Sequence, residues 1–216
     1  MFVGRRMTRN VITVDKDTTV LKVRNLLREH NIDQVPVVDG KKLVGIITDK
    51  DIRQNAASPA TTLAVHELNY LLSEMKAKDI MTRDLITVSP GTTIEEAALL
   101  INEKRINSLP VVLNEELVGI ITTCDLLYVL LEFMGVDLES SRVEVIHSRI
   151  SGEIAKLANI INSLGLTILS IVSTVNRQGE DTRTTLIRVN TDDNREVTRA
   201  LEDAGYEVTN EYRIVK

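Results

Sequence analysis

The chain has 216 residues, with 26 Lys plus Arg against 31 Asp plus Glu and a formal charge of −5. That excess of acid weighs against a nucleic-acid partner, and 3% aromatics without a Trp remove the stacking platforms of a single-strand binder. With 43% apolar residues the chain can bury cores, while one Cys and three His exclude an internal disulfide and a zinc site of the usual four-ligand kind.

The amino-terminal stretch MFVGRRMTRN lacks an apolar run of signal-peptide length. The longest apolar run, Leu126 to Leu131, is far below the roughly 20 residues of a membrane helix. A soluble, cytoplasmic protein without a membrane partner is expected.

An offset of 74 residues aligns Met7 to Arg53 with Met81 to Leu127 without a gap. About 20 of the roughly 47 paired positions are identical, which marks an internal repeat. Each copy opens on a β-branched Ile-Thr-Val run and a Thr-Thr pair that starts a helix. In the second copy Ile94, Ala97, Ala98 and Ile101 fall at helical spacing, and Thr93 with Glu96 has the spacing of a capping box. The runs Pro-Val-Val and Leu-Val-Gly-Ile-Ile-Thr, joined at Asp39 to Lys42 and at Asn114 to Glu116, predict a hairpin in each copy. A helix follows, with Leu126, Leu127, Leu130 and Leu131 as an apolar stripe. Each unit is therefore β-α-β-β-α, and two such units are expected to stack as a pseudo-twofold pair.

Between the copies, Leu68, Leu71, Leu72 and Met75 predict an ordered helix after a turn at Ser58-Pro59. Beyond Gly135 the pattern changes. Arg142 to Ile150 reads as a strand, and Ile154, Leu157, Ala158 and Ile161 mark a helix stopped by Gly165. Strands at Leu166 to Val175 and Thr184 to Thr191 flank a turn at Arg177 to Asp181. A helix with Val197, Ala200, Leu201 and Ala204 inward and a last strand from Glu207 complete the ferredoxin-like order β-α-β-β-α-β. The predicted fold class is α/β (α+β). Residues 1–76 hold the first repeat and the connecting helix, 77–136 the second repeat, and 141–216 the carboxy-terminal domain.

The repeated hydrophobic-Pro-Val-Val and Gly-Ile-Ile-Thr-x-x-Asp motifs, over residues 5–134, resemble the cystathionine-β-synthase (CBS) domain, which occurs in tandem pairs called Bateman modules. The segment SRISGEIAKLANIINSLGLTILSI resembles the opening of an ACT domain, with Ser148, Ser151 and Thr167 where that family usually has Asp, Pro and Asn. A CBS pair, an inter-repeat helix and a trailing ACT-like domain together are similar to the acetoin-utilisation AcuB-type proteins of bacteria.

The CBS resemblance implies an adenosine-type ligand, such as AMP, ADP, ATP or S-adenosylmethionine, in clefts between the repeats. It implies that the carboxylates of Asp51 and Asp125 take the ribose hydroxyls, and that Thr48 and Thr122 contact ribose or phosphate. The matching walls of a base slot are Thr13, Ile32, Val35 and Pro36 in one copy and Thr87, Ile106, Leu109 and Pro110 in the other. An ionised carboxylate accepts both hydroxyls of a vicinal diol, and such charged hydrogen bonds contribute roughly 1.5 to 3 kcal/mol. Thr-x-x-Asp is equally a helix capping box that needs no ligand. Arg9, Arg53, Arg83, Lys104 and Arg105 are the cations available to a phosphate, in place of the His or Arg that often precedes the Pro in nucleotide-sensing members.

Cys124, without a second Cys, reads as an ordinary helix residue, and His30, His66 and His147 as surface or packing residues. Gly152 opens the ACT-like helix, where either a ligand or a tight backbone would call for glycine. No nucleophile–base pair, Walker loop or metal-ligand cluster occurs. The expected protein is a non-catalytic, homodimeric sensor with no obligatory cofactor and no bound metal, acting on an enzyme that the sequence does not identify. The alternatives are a ligand-free dimerisation scaffold and an enzyme of acetoin metabolism.

Overall fold

The computed structural model describes residues 1–56, 65–175 and 182–209. The expected turns at Ser58-Pro59 and Arg177 to Asp181, the side chains of His66 and Leu68, and the chain beyond Thr209 lie outside the described residues. The chain forms two compact units, Met1–Leu126 and Leu127–Lys216.

The first unit opens with a 3-10 turn at Val3–Arg5, followed by β1 (Val14–Asp15), α1 (Val20–Glu29), β2 (Gln34–Asp39), β3 (Lys42–Thr48) and α2 (Asp49–Ala56). Two helices, α3 (Val65–Glu74) and the short α4 (Ala77–Ile80), lead to the second copy. That copy contains α5 (Ile94–Lys104), β4 (Ser108–Leu113), β5 (Glu116–Thr122) and α6 (Thr123–Phe133), whose end belongs to the second unit.

Helical spacing buries Val20, Val23 and Leu27 on α1 and Ile94, Ala97 and Ile101 on α5. The capping box read from Thr93 and Glu96 forms: Thr93 N–H donates to Glu96 Oε2 at 3.0 Å, and Glu96 N–H donates to Thr93 Oγ1 at 3.2 Å. The Thr93 backbone and hydroxyl hold the Glu96 carboxyl below its ordinary range. Both hairpins close through two-residue turns, at Asp39↔Lys42 and Leu113↔Glu116. The second turn puts Asn114 (φ 51°) and Glu115 (φ 65°) in left-handed conformations, the geometry that matches strand twist.

The five strands run β1-β2-β3-β5-β4, and the copies join where Lys42 pairs with Glu116, residues at one position of the repeat. The copies also exchange their leading segments. Val20 N–H donates to Met75 O at 2.9 Å, and Ile94 N–H donates to Met1 O at 3.0 Å. Thr82 exchanges backbone hydrogen bonds with Ile46, as Thr8 does with Ile120. Each copy thus completes its twin, which gives the pair its pseudo-twofold character.

The second unit contains β6 (Ser141–Ser148), α7 (Glu153–Ser163), β7 (Ile168–Val175), β8 (Thr182–Val189), α8 (Arg195–Asp203) and β9 (Glu207–Thr209). Its sheet order β7-β8-β6-β9 is wholly antiparallel, the ferredoxin-like arrangement that the element order predicts. Val143, Val145, Leu157, Ile161, Ile187, Val189, Val197 and Leu201 form its core.

Several apolar stripes differ from expectation. Ile154 is exposed, and Glu153 takes the buried place on α7, its carboxylate accepting from Tyr206 Oη at 2.9 Å and Lys156 Nζ at 2.7 Å. On α6, Leu126 and Val129 are buried while Leu127, Leu130 and Leu131 are exposed. Ala204 is exposed beyond the end of α8. Among the described residues no helix is long and apolar enough to cross a membrane.

Candidate ligand cleft

The first unit contains a cleft of about 490 Å³ built from both copies. From the first copy, the end of β3 and the start of α2 supply Thr48, Asp49, Lys50, Asp51 and Arg53. From the second copy, Leu85 and Ile86 line one side, and the corner between α5 and β4 supplies Arg105, Ile106, Ser108 and Pro110. The Ile46–Thr82 backbone pair, with bonds of 3.0 and 2.9 Å, lays the segment holding Leu85 and Ile86 alongside β3.

Thr48 and Asp51 form the capping box that their spacing predicts. The Thr48 N–H (2.8 Å) and hydroxyl (2.6 Å) both donate to Asp51 Oδ2, and Asp51 N–H donates back to Thr48 Oγ1 at 3.2 Å. All of these contacts with the carboxylate use Oδ2. Among the described residues Asp51 Oδ1 accepts no hydrogen bond, so the residue caps its helix with one oxygen alone. The Thr48 hydroxyl has already spent its proton and can only accept further.

Thr122 and Asp125 repeat this geometry. The Thr122 N–H and hydroxyl donate to Asp125 Oδ2 at 2.8 Å each, and Asp125 N–H returns a bond of 3.2 Å.

Of the residues carried over from the family motif, the structure gathers Thr48 and Asp51 of one copy with Ile106 and Pro110 of the other. Thr87 is exposed and off this lining, where its neighbour Ile86 stands instead. Val35 and Leu109 are fully buried and are not among the residues lining this cleft. Both lie in runs of consecutive buried residues, 35–37 in β2 and 108–111 in β4, where the strand is covered on both faces. Thr13, Ile32 and Pro36 lie outside this cleft, at the positions that repeat symmetry pairs with Thr122 and Asp125.

The cations divide in the same way. Arg53 and Arg105 line the cleft, whereas Arg9 donates to Gly4 O at 2.7 Å and Arg83 to Lys78 O at 2.9 Å, and Lys104 lies off the lining. Arg53 pairs with Asp49 at 2.8 Å. Lys50 and Arg105 carry no ion pair among the described residues.

Two lining features were not singled out from the sequence. Lys50 precedes the motif Asp by one residue, at a position that differs between the copies. Ser108 is 5% exposed, and its Oγ has no hydrogen-bond partner among the described residues. A buried, unpartnered hydroxyl costs about 1 to 3 kcal/mol, and a ligand atom at the cleft wall would relieve that cost.

The remaining candidates are structural. His147 is buried in the second unit with Nε2 2.7 Å from Thr185 Oγ1 and Nδ1 2.7 Å from Ser148 O, which makes it a packing residue. His30 caps the end of α1 and Cys124 is an exposed thiol. Gly152 has φ 93° with open space around it, so backbone conformation accounts for the glycine. Among the described residues, no group of three or more His, Cys, Asp or Glu could hold a metal ion.

Comparison with known proteins bears on the same region. Inosine-5′-monophosphate dehydrogenase of Korarchaeum cryptofilum is 40% identical over 121 residues, which is 56% of this chain and 22% of that enzyme. The chain thus spans about a fifth of that relative's length. The crystal structure of the CBS domain pair of protein MJ0100, in complex with 5′-methylthioadenosine and S-adenosyl-L-methionine, matches with a TM-score of 0.51 and 27% identity over 60% of this chain and 95% of that one. The structure of the Vibrio cholerae protein AcuB, assigned to acetoin utilization, matches with a TM-score of 0.53 and 29% identity over 63% of this chain and 95% of its own. The family model for the CBS domain matches twice, at residues 3–58 and 77–132. Those two matches cover more than half of the chain, and the protein belongs to the CBS domain family as a tandem pair followed by a further α+β domain.

Proposed function

We propose that the protein is a non-catalytic regulatory sensor in the cytoplasm that binds an adenosine-containing ligand between its CBS repeats. The observation that carries this reading is Asp51, which caps α2 through Oδ2 and leaves Oδ1 free on a cleft walled by Leu85, Ile86, Ile106 and Pro110. A free carboxylate oxygen suits a sugar hydroxyl, and the apolar wall suits a purine. The adenosyl ligands in the structure of the related CBS pair support the same class.

In this reading ligand occupancy passes to the carboxy-terminal ACT-like domain of a homodimer and from there to a regulated partner. Such coupling requires the ligand to bind two arrangements of the protein unequally, typically by about 1 to 3 kcal/mol.

A second reading, a ligand-free scaffold, has its own support, because both Thr-x-x-Asp motifs form complete capping boxes, a structural role that accounts for the residues. Calorimetric titration with adenosine, AMP, ADP, ATP and S-adenosylmethionine separates the two. The sensor binds at least one of these, and Asp51→Asn or Asp125→Asn weakens that binding. Absence of heat and of any melting shift across the panel leaves the scaffold.

A further inference from the structure

We infer that the outer edge of β7 and the adjoining flank of α7 form the twofold interface of the homodimer: β7 pairs antiparallel with β7 of a second copy, and α7 packs on its counterpart over the same face of the joined sheet. This inference rests on the homodimer reading above and assigns that dimer its surface.

The strand edge is open and uncharged. Among the described residues β7 pairs with β8 alone, so one side of its backbone has no strand partner. Its sequence, Ile-Leu-Ser-Ile-Val-Ser-Thr-Val, holds no charge and no proline, two of the devices that keep an edge from pairing. The irregularity in its register falls between Ile168 and Ser170, before the exposed stretch. The opposite edge of the sheet, β9, opens on the exposed Glu207. Ile171 stands opposite the core residue Ile187, which puts it on the helix-covered face, yet it is 38% exposed.

The helix beside that edge is uncharged on the same side. α7 packs against both α8 and β7. Its only charges, Glu153 and Lys156, pair with each other, and Glu153 accepts from Tyr206, which precedes β9 at the far edge of the sheet. Helical spacing turns Ile154 and Ala158 the other way, toward β7, and Ile154 is 37% exposed there. The exposed side of α7 continues with Ala155, Asn159 and Asn162. By contrast α8, which shares the same core, exposes Arg195, Glu196, Arg199, Glu202 and Asp203. A chain that is 26% charged thus leaves a helix flank and a strand edge, side by side, without a charge. On a twofold axis each residue meets its own kind, and a charged side chain there would face its like, so a second copy is the partner this surface suits. An antiparallel edge offers N–H and C=O groups alternately, which makes the strand its own complement. The same contact covers Ile154, whose exposure in the single chain departs from its apolar spacing.

In sedimentation velocity the full chain runs as a dimer at micromolar concentration. The variants I154K/I171K and I154E/I171E, each checked for folding by circular dichroism, set like charges across the axis and weaken the dimer by roughly a hundredfold. Mixed in equal amounts, the two variants form a heterodimer, because opposite charges then face each other. Where a charge variant misfolds, cross-linking on a C124S background carries the test. At least one of I171C, V172C, S173C and T174C joins to its own copy on oxidation, since antiparallel partners lie within disulfide reach, and R199C on the exposed face of α8 does not. A dimer that survives both charge variants and is broken instead by L127E/L130E on α6, a dissociation that mixing does not reverse, or no cross-link from β7 overturns this interface and leaves the homodimer in place. A monomeric wild-type chain overturns both, while titration with the adenosyl ligands decides the sensor reading separately.

Discussion

Gly45 and Gly119 sit where one copy's leading segment crosses the other's hairpin. A Cβ on Gly45 would overlap the Met81 side chain; one on Gly119 would lie 2.5 Å from Met7 Sδ and 3.0 Å from the Thr8 carbonyl oxygen. Met81 can turn aside but the Thr8 backbone is held by its bonds to Ile120. Gly119→Ala is therefore expected to lower stability by about 1 to 3 kcal/mol, the usual range for overpacking, and Gly45→Ala by less. Urea denaturation checks the order, and Met81→Ala should rescue Gly45→Ala more fully than Met7→Ala rescues Gly119→Ala. The opposite sign is expected at Glu115, a left-handed residue in a hairpin turn. Glu115→Gly relieves that conformation at the loss of one exposed ion pair to Lys42 at 3.5 Å, for a net gain of about 0.5 to 1 kcal/mol by the same measurement. Residue types at motif positions were legible in the sequence, but burial was not: Val35 and Leu109 stand beside the Pro of the motif within runs of consecutive buried residues, because these strands are covered on both faces.

Among the elements, hydrophobic period carried the reading furthest where a helix lies on one sheet, as α1 and α5 do with their buried Val20, Val23, Leu27, Ile94, Ala97 and Ile101. It carried less on α7, because a buried Glu153 satisfied by Tyr206 and Lys156 displaces Ile154 from the apolar face. Polar satisfaction depends on partners far along the chain and leaves no periodic mark. The start of α8 supplies a pH prediction. Asp193 accepts the Arg195 N–H at 3.0 Å and the Arg195 guanidinium at 2.9 Å, and these bonds, the guanidinium's first, lower its carboxyl from 3.8 to about 2. A carboxyl depressed by folding contributes stability that is complete above its unfolded value and is lost as pH falls through the folded one. The contribution is thus whole at neutral pH and down to pH 3.8, and disappears between 3.8 and about 2. Chemical denaturation at pH 7, 4 and 2 should show wild type and Asp193→Asn converging only over the last interval. A difference that persists unchanged at pH 2 contradicts the assignment.

For the molecule as a whole, the repeat announced two like units, but not that each would lend its leading segment to the other. That exchange is held by Val20 to Met75 and Ile94 to Met1, pairs whose partners lie about 55 and 93 residues apart. It is also why the cleft mixes Asp51 of one copy with Leu85 and Ile86 of the other, a pairing that motif positions taken copy by copy do not reveal. The sensor reading then makes a demand on the second compact unit. A ligand that binds only the folded first unit stabilises it by about 2.7 kcal/mol at one hundred times its dissociation constant, whatever else it does. A shift in the unfolding of Met1–Leu126 alone is therefore binding without signalling. Signalling requires the second unit to feel occupancy, so saturating ligand is expected to change amide hydrogen exchange in β6 and β8, the central strands of its sheet, as well as around Thr48 and Asp51. Asp51→Asn and Asp125→Asn should abolish both effects together, because linkage ties any distant response to the free energy of binding. Exchange that changes only within residues 1–126 would reduce the protein to a nucleoside binder with no output through its carboxy-terminal domain.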